Sequence, residues 1–153
     1  MRVVDILRAE QVIPQLRSRT KTEMLHELAA HLAAHHPEIQ KEQLVTVLLD
    51  RERLGTTAIG EGIAIPHGKL AGLKRVLAVF GRSLEGIDCH SLDGGLTKLV
   101  FLLVAPEDSA GVHLKALARV SRLPKDKVFR ERLLQSHNQA DLYRVICEED
   151  AKL

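Results

Sequence analysis

A layered α/β or α+β domain, with helices before and after a set of strands, is the fold that this 153-residue sequence predicts. The prediction rests on three features. Leu99–Val104 is an unbroken apolar run, as in a strand covered on both faces. Stretches with helical periodicity stand both before and after the strand-like segments. No repeat, low-complexity linker or shift in composition divides the chain, so residues 1–153 read as one domain.

The elements follow in order. Residues 1–15 form a short lead-in, in which Pro14 ends the Val12-Ile13 pair. Thr20-Lys21-Thr22-Glu23 has the form of a capping box, and Met24, Leu25, Leu28 and Leu32 share a helical face behind it. That helix runs to about His35, because Pro37 forbids continuation. A second helix occupies about 40–53, with Leu44, Val47 and Leu48 inward, Glu42, Asp50 and Arg51 outward, and Gly55 closing it.

Residues 60–69, Gly-Glu-Gly-Ile-Ala-Ile-Pro-His-Gly-Lys, form a glycine-framed segment with a short strand at Ile63-Ala64-Ile65. Pro66 lacks a backbone donor and Gly68 admits a φ forbidden to other residues, so a sharp turn is expected to present His67. Residues 76–80 and 99–104 read as strands, with Asp93-Gly94-Gly95 as a turn between them. Helices are expected at about 112–123, 125–135 and 138–148.

Composition narrows the function. No Trp, one Tyr and three Phe leave little material for stacking bases, and a net charge of +2 does not call for nucleic acid or a membrane surface. Cys89 and Cys147 stand far apart, without C-x-x-C spacing, and suit a reducing compartment. The N-terminus lacks the form of a signal peptide and no run reaches the length of a membrane span, so a cytoplasmic location is expected.

His67, Arg51 and His113 each fall at the end of a predicted element, where α/β domains assemble sites. An exposed neutral imidazole is a competent nucleophile near neutral pH. Phosphoryl transfer then needs little beyond positioning and neutralisation of the moving charge. Arg51 can supply a bidentate fork, and amides around Val112–Leu114 with the His113 ring can hold an anion. Thr56 and Thr57 offer hydroxyls between Arg51 and His67, and Ile59 and Ile63 are expected to give the rim an apolar character. Structural readings stand beside these: a turn histidine at 67, an Arg51 paired with Glu52 or Asp50, and a half-buried capping histidine at 113.

Two other patterns carry less. Glu27, His31 and His35 share a helical face but lack the H-E-x-x-H form and a fourth ligand, so no metal or other cofactor is expected. Lys115, Arg119 and Arg122, continued by Lys125, Lys127, Arg130 and Arg132, read as a solvated face.

The run from Arg51 to Lys69, Arg-Glu-Arg-Leu-Gly-Thr-Thr-Ala-Ile-Gly-Glu-Gly-Ile-Ala-Ile-Pro-His-Gly-Lys, resembles the signature of the fructose/mannitol-type enzyme IIA family of the bacterial phosphotransferase system. His113 to Leu123 is similar to that family's second signature, and the nitrogen-regulatory branch fits best. The resemblance implies a mixed sheet flanked by helices and His67 phosphorylated on Nε2, with Arg51 and His113 holding the phosphoryl oxygens. Thr56, Thr57, Gly62, Pro66 and Gly68 would form the supporting loop. It also implies an HPr-like donor (NPr in that branch) and regulated partners of the transporter or sensor-kinase class, or, in a sugar-specific member, a IIB cysteine as acceptor. Ala58, Glu61 and Pro124 depart from the branch pattern, and Glu61 is expected to set a negative charge close to the phosphoryl site.

Overall fold

The computed structural model describes residues 1–153. Its sheet has six strands: β1 (Val12–Ile13), β2 (Ala58–Gly60), β3 (Ile63–Ala64), β4 (His67–Leu70), β5 (Leu77–Ile87) and β6 (Thr97–Pro106). They lie in the order β1-β5-β6-β3-β2, with β4 beside β6 beyond the end of β3. Strands β5 and β6 are antiparallel, as are β2 and β3, whereas β1 on β5 and both β3 and β4 on β6 are parallel. The sheet is therefore mixed, as the family resemblance implies.

Five α-helices cover it: α1 (Lys21–His35), α2 (Lys41–Arg53), α3 (Ala110–Arg122), α4 (Lys127–Gln135) and α5 (Gln139–Asp150). Thr20 caps α1 through the amide of Glu23, whose carboxylate returns to the Thr20 amide, so the capping box forms. Helix α4 begins later than its periodicity suggests. Asp126 caps it, and Leu123–Lys125 is a 3-10 turn around Pro124.

Strand alternation sorts the core into two layers. Leu99, Phe101, Leu103 and Ala105 pack with Ala116, Val120, Phe129 and Ile146 on the side of α3–α5. Val100, Leu102 and Val104 pack with Leu25, Leu28, Leu44 and Leu48 on the side of α1 and α2. Strand β6, buried on both faces, is the spine between them.

Three expectations need correction. The lead-in contributes an edge strand, because Val12 and Ile13 pair with Phe80 and Gly81. Strand β5 continues through Gly81–Ile87, well past the apolar run. No sharp turn stands at Pro66-His67-Gly68. His67 opens β4, in register with Leu103, and Gly68 has no positive φ. The positive-φ turn lies earlier, at Gly60, Glu61 and Gly62, where β2 folds back into β3.

Candidate functional site

Strand β4 has one sheet neighbour, β6, so its outer edge is the margin of the sheet at that level. Gly68 and Leu70 turn toward α2 and its core, and by alternation His67 and Lys69 turn to the other face, toward α3. Gly68 is needed there for space. A Cβ would stand 2.6 Å from Val47 Cγ1 of α2. The strand and helix thus approach closely, and the last turns of α2 come level with His67.

Around that margin, Arg51, His67, Lys69 and His113 line one hollow with Val47, Asp50, Leu54 and Gly68. His67 is half-buried. Its Nδ1 lies 2.8 Å from the carbonyl of Ile65, an oxygen that can only accept, so Nδ1 carries the proton. Nε2 is left unprotonated, as an acceptor. Arg51 Nε is 3.4 Å from it and Arg51 Nη1 donates to the Gly55 carbonyl at 3.0 Å, so the guanidinium bridges the end of α2 and the imidazole.

His113 reaches the hollow from the first turn of α3, its ring edge-on to that of His67 with centroids 5.7 Å apart. It is buried, and its Nε2 has no hydrogen-bond partner. Burial, followed by the electrostatic influence of the neighbouring His67 ring and the Lys69 cation, pushes its imidazole below the usual histidine range, so it is neutral at pH 7. A buried ring nitrogen without a partner thus stands beside an unprotonated imidazole nitrogen and a guanidinium, an arrangement that can take an anionic oxygen.

Other expected groups lie elsewhere. Thr56 Oγ1 donates to the Cys89 carbonyl and accepts from Lys21, and Thr57 Oγ1 donates to Glu52 at 2.6 Å, so neither hydroxyl lines the hollow. Helix α3 starts at Ala110, and the His113 amide already bonds the Ser109 carbonyl, so the free amides are those of Ala110–Val112, and of the expected Val112–Leu114 group only Val112 is among them. Ile63 is buried and Ile59 belongs to a different hollow. The exposed apolar residue at the His67 hollow is Leu54, 85% accessible.

Glu61 is not beside His67. Four strand positions, or about 13 Å, separate Ile63 from His67. Glu61 sits beyond Ile63 and faces Arg130 at 3.6 Å. Gly62, at φ 76°, shapes that same turn, and buried Pro66 joins β3 to β4 through a trans peptide, its carbonyl accepting from the Leu103 amide.

Part of the basic stripe is engaged. Arg119 pairs with buried Asp150 at 2.7 Å, Arg132 with Glu148 at 2.8 Å, and Arg130 with Glu61. Glu27 bonds the amides of Arg17 and Ser18, and His31 bonds the Glu10 carbonyl. No group of three or more His, Cys, Asp or Glu side chains converges as a metal site would, and no helix is long and apolar enough to cross a membrane.

Sequence reasoning missed Lys69 as a member of the hollow. The i, i+2 alternation of a strand carries that signal, but it is unreadable when His67 is taken to stand on a turn.

Comparison with known proteins bears on this geometry. The family model described as phosphoenolpyruvate-dependent sugar phosphotransferase system, EIIA 2, matches residues 5–149. A nitrogen regulatory protein of Bradyrhizobium diazoefficiens is 42% identical over 146 residues, covering 95% of either chain. The fructose-specific EIIABC component of Bacillus subtilis is 32% identical over 150 residues, which are 98% of this chain but 24% of that longer one. The crystal structure of IIA-Ntr from Neisseria meningitidis superposes with a TM-score of 0.87 at 27% identity, over 94% of this chain and 98% of the other.

Proposed function

Because the chain belongs to the EIIA 2 family of the phosphoenolpyruvate-dependent sugar phosphotransferase system, we propose that it is a phosphocarrier that takes up a phosphoryl group on His67 and signals through it. The observation that carries the reading is the state of the His67 ring, with Nδ1–H held by the Ile65 carbonyl, Nε2 accepting from Arg51 and the His113 ring edge-on beside it.

The donor is a phosphohistidine carrier of the HPr type, NPr in the nitrogen-regulatory branch. Nε2 attacks phosphorus in line, a new N–P bond forms, and the donor's N–P bond breaks with its electron pair returning to the donor imidazole. Positive charge appearing on the His67 ring is shared with Nδ1–H and opposed by the Ile65 carbonyl dipole. Arg51 faces the equatorial oxygens as a fixed cation. His113, neutral and in the tautomer that protonates Nε2, donates to one of those oxygens and so fills its missing bond.

The modified protein carries about two more negative charges beside the exposed Leu54. A partner surface that accepts an apolar contact next to a cationic hollow would then meet a dianion. That difference supports a regulatory output toward proteins of the transporter or sensor-kinase class, in the cytoplasm, as the likeness to nitrogen regulatory proteins also suggests. A second reading, delivery to the cysteine of a IIB component in sugar uptake, is favoured by the likeness to the fructose-specific protein.

Incubation with enzyme I, an HPr-type donor and phosphoenolpyruvate should add one acid-labile phosphoryl group to the wild type and none to His67→Ala. Arg51→Ala and His113→Ala should stay folded but accept more slowly, by about 1–3 kcal/mol in activation free energy for each lost bond to a charged oxygen. Equal labelling of the wild type and His67→Ala would overturn the assignment. Onward transfer to a purified fructose-type IIB would select the second reading.

A further inference from the structure

Behind the hollow, and outside it, lies a buried ion pair that the phosphoryl chemistry does not touch. Lys21, at the start of α1, meets Glu52, in the last turn of α2, at 3.0 Å, with side chains 15% and 7% accessible. Buried charges are costly unless fully paired and bonded, so a pair placed here invites an explanation beyond stability.

Two hydrogen-bonded arms run from Glu52 to His67, one from its carboxylate and one from its backbone carbonyl. In one arm the carboxylate accepts from both the amide and the hydroxyl of Thr57, at 3.1 and 2.6 Å. The carbonyl of Thr57 then accepts from the Ile65 amide at 3.0 Å, and the Ile65 carbonyl receives His67 Nδ1–H. In the other arm the Glu52 carbonyl accepts from the Gly55 amide at 3.1 Å. Gly55 in turn holds Arg51 Nη1, leaving Arg51 Nε directed at His67 Nε2. One arm sets which ring nitrogen is protonated and the other places the guanidinium against the free one.

We infer that Glu52, clamped by Lys21 and acting through Thr57, is the positioning residue of the phosphoryl site: its carboxylate fixes the His67 tautomer. This rests on His67 being the phosphoryl acceptor. Glu52 touches neither the imidazole nor the hollow, so its influence is entirely on geometry. Thr57 thereby has a role without facing the phosphoryl group.

The test uses the full chain with Glu52→Gln, which keeps the bulk and one acceptor oxygen, and Thr57→Val, which keeps the amide but removes the hydroxyl. Imidazole 15N shifts read the His67 tautomer directly. Both variants should show a mixed tautomer in place of Nδ1–H. Their maximal rate of phosphorylation by the HPr-type donor should fall on the order of tenfold, the size expected for a misplacement well under 1 Å, with the donor concentration at half-maximal rate unchanged. Thr57→Ser should restore both readouts. Wild-type tautomer and rate in folded Glu52→Gln and Thr57→Val would overturn the inference. So would a loss of rate confined to donor affinity. Because the tautomer is read without any donor, a wild type that takes no phosphoryl group would defeat the carrier reading while leaving this measurement to judge Glu52.

Discussion

Gly68 shows how one residue fixes the distance between two parts of the site. It lies in β4 directly beneath α2, and an added Cβ would meet Val47 Cγ1 at 2.6 Å and Leu48 Cδ2 at 3.7 Å. The absence of a side chain lets the end of α2 come close enough for Arg51 to reach His67. Gly68→Ala should cost about 1–3 kcal/mol through overpacking. Val47→Ala in the same chain should recover much of that loss, since the two changes share one contact. Urea denaturation of the single and double variants measures the coupling, and additive losses would mean that the strand–helix contact is not the reason for glycine. The Pro-His-Gly sequence is compatible with a turn as well as with packing. Only the parallel pairing of β4 with β6, a long-range contact, distinguishes the two.

At the scale of elements, legibility follows the range of the forces involved. Helix α1 is readable because its start is a local bond between Thr20 and Glu23 and its apolar face is periodic. That His67, Arg51 and His113 stand near one another is implied by family resemblance, whereas their placement at the sheet margin depends on strand order. The far half of β5 is illegible because Gly81-Arg82-Ser83-Leu84-Glu85-Gly86 interrupts the apolar pattern. Arg82 is nonetheless 4% accessible. Its guanidinium donates to the carbonyls of Pro14, Leu133 and Ser136, the last two at the C-terminus of α4, where the helix dipole is negative. A buried cation without a carboxylate partner is thus satisfied by carbonyl oxygens alone, and it fastens α4 to the sheet. Arg82→Leu should lower stability by about 1–3 kcal/mol for each carbonyl left without a donor. The denaturation midpoint should fall at constant slope. A loss below about 0.5 kcal/mol, the range of ordinary surface changes, would show that water replaces the clamp.

Across the whole molecule, the sheet divides the interior into two apolar layers, and the helices on each layer bring one group to the margin: Arg51 from the α2 side, His113 from the α3 side. The site therefore depends on both layers keeping their positions relative to β4. On the α3 side, Asp150 ties three distant parts of the chain together. Fully buried, it accepts from the Val3 amide at 2.8 Å and from Arg119 Nε at 2.7 Å, while its own carbonyl accepts from Arg119 Nη2 at 2.9 Å. Arg119 lies on α3, the helix that carries His113. Asp150→Ala strands a half-buried guanidinium and an amide, and removing one partner of a buried pair costs about 3–5 kcal/mol. Asp150→Asn should cost less, because its amide oxygen can still accept. If Asp150 joins the layer into one unit, hydrogen exchange in Asp150→Ala should quicken together in residues 3–7, α3 and α5. Loosening restricted to the last turn of α5 would mean that α3, and with it His113, is held by its apolar face alone.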